Sequence, residues 1–165
     1  MIDRSELTYN IVETLLTGQV DGVHISSRAH SGGRGGSKLS GVQQYFLADN
    51  PFATGVKLNE KKKGSVGGTL PMGSYTLRLH ESRHNWIRLI PAAGNSMKDR
   101  SGFAIHGRGK RGSDGCIVPT DFNIVLKLCK LAEARKKKGL PEISLQVVAI
   151  GADVDKKLRE WQTIA

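Results

Sequence analysis

Aromatic side chains are scarce in this chain, with two Trp, three Tyr and four Phe among 165 residues. Glycine is abundant at 20 residues, and that balance suits short strands joined by tight turns. Two cysteines are too few for a disulfide framework. No apolar run approaches the length that crosses a bilayer, so no membrane span is expected. Met1-Ile2-Asp3-Arg4-Ser5-Glu6 lacks the basic-then-apolar layout of a secretory signal. The expectation is a protein made in the cytoplasm that, if it leaves, uses a route reading no cleavable leader. Acidic groups are outnumbered, 15 against 25 basic, for a net charge of +10. The excess favours a polyanionic setting: nucleic acid, an anionic envelope polymer or an acidic partner.

The length suits one domain over residues 1–165 that can bury a core. Residues 5–16 read either as a capped helix or as strands; Thr17-Gly18 and Asp21-Gly22 punctuate the region like hairpin turns and tip it towards strands. Ser31 to Gly41 is glycine-rich loop, and a second loop runs from Lys57 to Gly68. Tyr75, Leu77 and Leu79 alternate with polar residues as in a half-buried strand. Trp86 to Ile90 and Phe103 to His106 read as two more strands. A helix is predicted from near Thr120, with Thr120 as cap, to Gly139-Leu140-Pro141, and Ile124, Val125, Leu128, Leu131 and Ala132 share one face. Ile143 to Ile150 reads as a strand buried on both sides, and Asp153 to Trp161 as a short helix. The sum is a mainly β domain with one embedded helix.

Chemistry concentrates between Ile105 and Ile117. A thiol attacks an amide as thiolate, which needs a nearby base or positive charge to form near neutral pH. His106, at a strand end, can take the proton from Cys116 and return it to the leaving amine. Gly115 permits a tight turn whose main-chain N–H groups, with that of Cys116, suit a developing oxyanion. The helix that follows adds a positive dipole end, and Arg108, Lys110 and Arg111 favour an anion. The residues alone leave a second reading open: Cys116 as a small buried side chain and His106-Gly107 as an ordinary strand end. Cys129 lies within an apolar helical stretch and reads as core.

Ile105-His106-Gly107 and Ser113-Asp114-Gly115-Cys116-Ile117 together resemble the signature of the L,D-transpeptidase catalytic domain: His-Gly, a spacer, Ser or Thr, a variable residue, then Gly-Cys and an apolar residue. Pro71-Met72-Gly73-Ser74-Tyr75 is similar to the Pro-x-Gly-x-Tyr strand start upstream in such domains. The short spacer and the Ser31-Gly32 pair resemble most the compact L,D-transpeptidase-like effectors of type VI secretion. The resemblance implies a β-sandwich with one α-helix after the nucleophile. Carried over, it makes Cys116 the nucleophile, His106 the base, Gly115 an oxyanion-loop residue and Ser113 a turn residue, with the Gly107 carbonyl orienting the imidazole. Asp114 stands where many relatives have His, either orienting a substrate amine or facing water. Val118 stands where an Asn or Arg is common. Arg108 and Arg111 are candidates for substrate binding.

The implied reaction is attack on the amide between the third and fourth residues of a peptidoglycan stem peptide. A thioester forms, a D-amino acid leaves, and water or an amine completes carboxypeptidation, transpeptidation or exchange. No metal or organic cofactor is implied. By analogy the setting is a rival cell's periplasm, with a cognate immunity protein as partner.

Two other signals compete. His80-Glu81-Ser82-Arg83-His84 spells a zinc-protease pattern. That pattern needs both imidazoles on one helical face, about 6 Å apart. A strand context separates them by roughly 13 Å, so the match reads as coincidence. Gly33-Arg34-Gly35-Gly36 and the positive charge suggest a nucleic-acid-binding module without catalysis. The basic runs lack interleaved aromatics, which sets nucleic acid behind the enzyme reading.

Overall fold

A computed structural model describes residues 5–32, 48–54, 56–57, 66–107 and 115–164. The first element is β1 (Leu7–Asn10), followed by β2 (Leu15–Val20) and β3 (Val23–His30). The early segment is therefore strand, as its turn residues suggest. Asp21 and Gly22 have φ of 49° and 79°, the positive values that a two-residue hairpin loop between β2 and β3 requires. Along β3, Ile25, Ser27 and Ala29 are buried while His24, Ser26, Arg28 and His30 are exposed, the two-residue period of a half-buried strand.

A short ribbon pairs β4 (Val56–Lys57) with β5 (Val66–Gly67). After it come β6 (Gly73–Leu79), β7 (Ile87–Pro91), β8 (Ala104–Ile105) and β9 (Val118–Pro119). Helix α1 (Phe122–Lys138), β10 (Ile143–Val148) and α2 (Val154–Ile164) complete the chain. The domain is mainly β, and both helices among the described residues were legible in the sequence. β10 corrects one expectation. Ile143, Leu145 and Val147 are buried while Ser144, Gln146 and Val148 are half-exposed, so one face of the strand is buried rather than both.

Eight strands form one mixed sheet in the order β8-β7-β6-β10-β1-β2-β3-β9. Its two edges meet. Ile105 of β8 makes a parallel bridge to Ile117, the residue before β9. Ile117 N–H donates to the Ala104 carbonyl at 2.9 Å, and His106 N–H donates to the Ile117 carbonyl at 3.2 Å. These bonds close the sheet almost into a barrel, which satisfies edge groups that would otherwise face water. The interior holds Leu7, Tyr9, Leu16, Ile25, Leu77, Ile87, Ile105 and Ile117, with Ile124, Val125 and Leu128 from α1.

Helix α1 packs against β3, β6, β7 and β9, across the seam. Its cap is Asp121, not Thr120: the Asp121 carboxylate accepts from Asn123 N–H at 3.0 Å. The Thr120 hydroxyl instead donates to the Arg28 carbonyl at 3.3 Å. At the other end Gly139 has φ of 66°, and its N–H closes on the Arg135 and Lys136 carbonyls, a left-handed stop that glycine adopts without strain. Arg135 binds both Glu6 and Asp21, tying the last turn of α1 to the start of the sheet. Replacing Asp121 with alanine is expected to cost about 1 kcal/mol, and Thr120→Ala less; thermal unfolding of the two variants reads the difference.

Candidate functional site at the sheet closure

The closing bridge sets the site. Ile105 and Ile117 lie opposite one another and are both fully buried. Side chains alternate along each strand, so the neighbours His106 and Cys116 project to the other face of the seam. They flank the bridged residues on the two neighbouring segments, His106 following Ile105 and Cys116 preceding Ile117. The Cys116 side chain is half-buried rather than sealed in the core, and His106 keeps 6 % of its surface exposed.

Two contacts hold the imidazole. His106 Nδ1 donates to the Gly107 carbonyl at 2.7 Å, the orientation the resemblance implies. That bond puts the proton on Nδ1 and leaves Nε2 as the basic nitrogen. Trp86 stacks on the ring at 4.1 Å with planes 10° apart. The register that pairs Ile87 with Ile105 places Trp86 directly across from His106. On the neighbouring backbone, the Phe122 ring lies so close to Gly107 that an added Cβ would come within 2.7 Å of it. α1 therefore begins beside Gly107, with β9 intervening between Cys116 and the helix.

Burial pushes the His106 pKa below the ordinary 6.5; the Gly107 carbonyl acts the other way, and the charge of Arg83 adds to the lowering. The ring is therefore a neutral base near pH 7. A rate limited by His106 as base should keep its plateau down to pH 6.5 and fall on a limb below that value. The native state holds the imidazole neutral more strongly than the unfolded chain does. This stability is full above pH 6.5 and is lost as pH falls towards the depressed native value. A pH profile of kcat/KM with its acid limb above 6.5 would contradict the assignment.

Behind Cys116, a buried knot supports the turn. Gly115 has φ of 110°, and a Cβ there would sit 2.6 Å from both the Arg100 guanidinium and the Phe103 ring. Only glycine fits this position. The buried Ser31 hydroxyl donates to the Gly115 carbonyl at 3.0 Å and accepts from Leu70 N–H at 3.0 Å. That carbonyl shares a rigid peptide plane with Cys116 N–H, so Ser31 fixes where the N–H points. Arg100 is 8 % exposed and donates to the carbonyls of Thr69 at 2.8 Å and Gly68 at 3.1 Å, and to that of Thr54. Its guanidinium also lies 4.8 Å from the Phe103 ring centre.

Cys129 is not simply core. It is half-buried, packs against the core from α1 and also lines a cleft with the β6–β7 turn. Burial raises its thiol above 9.0, which keeps it protonated and a poor nucleophile. Among the described residues no disulfide forms.

Comparison with known proteins gives no family. No family model matches the chain and no curated protein matches it.

The structure thus places His106 and Gly107 just after Ile105, and Gly115 and Cys116 just before Ile117, on the two segments that the closing bridge joins. Ser113, Asp114, Arg108 and Arg111 lie outside the described residues. The zinc-like pattern falls in the β6–β7 turn, not on a helix. There His80 Nδ1 accepts from the N–H groups of Ser82 and Arg83 at 3.1 and 2.9 Å. Among the described residues, no group of three His, Cys, Asp or Glu side chains gathers to hold a metal ion, and no helix is long and apolar enough to cross a membrane. Gly33 to Gly36 also lies outside the described residues. Sequence reasoning missed Trp86 and Arg100 as site residues. Trp86 could have been found by aligning the strand after the β6–β7 turn with the one ending at His106. Arg100 carries no local signal.

Proposed function

We propose that this chain is a cysteine-dependent acyl-transfer enzyme of the L,D-transpeptidase type, acting on peptidoglycan stem tetrapeptides. One observation supports the reading: an imidazole with its Nδ1 proton bound to a carbonyl and a half-buried cysteine lie on the two segments joined by the closing bridge, each next to a bridged residue. His106 Nε2 takes the Cys116 proton, and the sulfur attacks the carbonyl between residues three and four of the stem. The main-chain N–H groups of the Gly115 turn face the developing oxyanion. His106 returns the proton to the amine of the departing D-residue, leaving a thioester on Cys116. Water or an amine then resolves it.

The substrate class rests on the spacing from His106 to Cys116 and its resemblance to the L,D-transpeptidase signature. The same reading takes the closed sheet as the β-sandwich-type scaffold of that family, with α1 following the nucleophile. The net charge of +10 suits an anionic wall polymer. Action as a secreted effector in a target periplasm, opposed by an immunity protein, is part of the proposal and rests on the resemblance alone.

The test is incubation of purified tetrapeptide muropeptides with the protein, with products identified by mass. Release of the terminal D-alanine, or its exchange for an added D-amino acid, supports the reading. Intact muropeptides together with steeply salt-dependent oligonucleotide binding would replace it with the nucleic-acid module.

A further inference from the structure

Trp86, which stacks on His106, also lines a cleft of about 590 Å³ between the β6–β7 turn and one face of α1. Its wall includes Glu81, Arg83, Trp86, Lys130 and Glu133. The acidic members are already committed, Glu81 to Arg88 and Glu133 to Lys137. Among the described residues, the cations Arg83 and Lys130 have no ion-pair partner. The uncommitted charge of the cleft is positive, so it suits an anion.

Position narrows the choice of anion. The Arg83 guanidinium lies 4.3 Å from the centre of the Trp86 ring, and Trp86 lies 4.1 Å from the imidazole. Arg83 is thus no further from His106 than those two lengths laid end to end. In the proposed reaction His106 protonates the departing nitrogen. The carboxyl carbon of an α-amino acid lies about 2.5 Å from that nitrogen. A guanidinium stacked at this distance, with its donors in a planar fork, is in reach of that carboxylate.

We propose that Arg83, held on Trp86, binds the free terminal carboxylate of the residue that leaves, and so selects substrates ending one residue beyond the scissile bond. This rests on the enzyme reading above. Arg83 is then a specificity residue: it makes a chain end, rather than a continuing peptide, the preferred substrate. The planar ring fixes both partners at once, since it orients the base on one contact and the carboxylate anchor on the other.

The experiment compares a stem tetrapeptide ending in D-alanine with the same peptide carrying a C-terminal amide. Binding to Cys116→Ala is measured by calorimetry at low salt, and turnover is measured with the otherwise wild-type chain. The free acid is expected to bind on the order of tenfold more tightly than the amide. Adding Arg83→Gln should remove that difference, and Arg83→Lys should keep part of it. An acid-to-amide ratio unchanged by Arg83→Gln overturns the proposal. So does a ratio that Lys130→Gln abolishes while Arg83→Gln does not. In a stem peptide whose third residue is a diamino diacid, amidating that residue's side-chain carboxylate instead separates the two carboxylates. Loss of the preference there, with the terminal amide tolerated, also overturns it. An Arg83-dependent binding preference without any turnover would uphold the carboxylate site and overturn the enzyme reading, so the two failures are distinct.

Discussion

Replacing Cys116 with alanine is expected to lower D-alanine release from tetrapeptide muropeptides by on the order of 10⁴-fold or more. The reason is chemical. On the proposed mechanism no thioester can form without the sulfur, and His106 has no nucleophile to deprotonate. The substitution removes one heavy atom from a half-buried site outside the main core, so the unfolding temperature should change little. His106→Ala should cause a loss of similar size, and the double variant scarcely more, because the two groups act as a unit. Cys129→Ala should leave turnover near that of the native chain, because burial keeps its thiol protonated. Equal release by the native and Cys116→Ala proteins would place the chemistry elsewhere.

Arg100→Met is expected to destabilise the fold by about 3 kcal/mol, since carbonyls left buried without a donor cost about 1–3 kcal/mol each. For a domain of this size that is a fall of roughly 6–12 °C in Tm. The guanidinium serves the carbonyls of Thr54, Gly68 and Thr69 together, and methionine can serve none. The same change should reduce turnover, because the arginine fills the space against Gly115 that sets the turn before Cys116. A differential scan with a fall below 2 °C, and unchanged kcat, would show that the knot is not what holds the turn.

The two results bear on different levels of the same arrangement. Cys116 and His106 occupy the line where the sheet meets itself. A closure line offers two strand ends side by side with backbone bonds satisfied, so on the proposed mechanism the ladder, rather than loops alone, would position the pair. Ser31, Arg100 and Gly115 then make the turn rigid from behind. Trp86 does the same for the imidazole from the side.

Much of this was readable along the chain. The alternation in β6, the Asp21-Gly22 hairpin and the Gly139 stop of α1 are local patterns, because turn chemistry and side-chain period act over a few residues. Local patterns misplaced details that depend on competition between neighbours. Thr120 and Asp121 are both good caps, and the Arg28 carbonyl of a distant strand takes the Thr120 hydroxyl. β10 reads as buried on both faces, yet Ser144, Gln146 and Val148 lie on a half-exposed face that depends on what the sheet leaves uncovered.

The sequence by itself determined a mainly β chain with a long helix after residue 120 and a short one at the end, and it drew attention to the His106-to-Cys116 segment. Those features follow from residue types at short spacing. Only the tertiary structure decided that β8 and the Ile117 segment join to close the sheet. It alone put Trp86 against the imidazole and Arg100 under Gly115. Such contacts form between segments far apart along the chain or across a strand register, and no local propensity encodes them. They are set by which faces the whole sheet must bury at once.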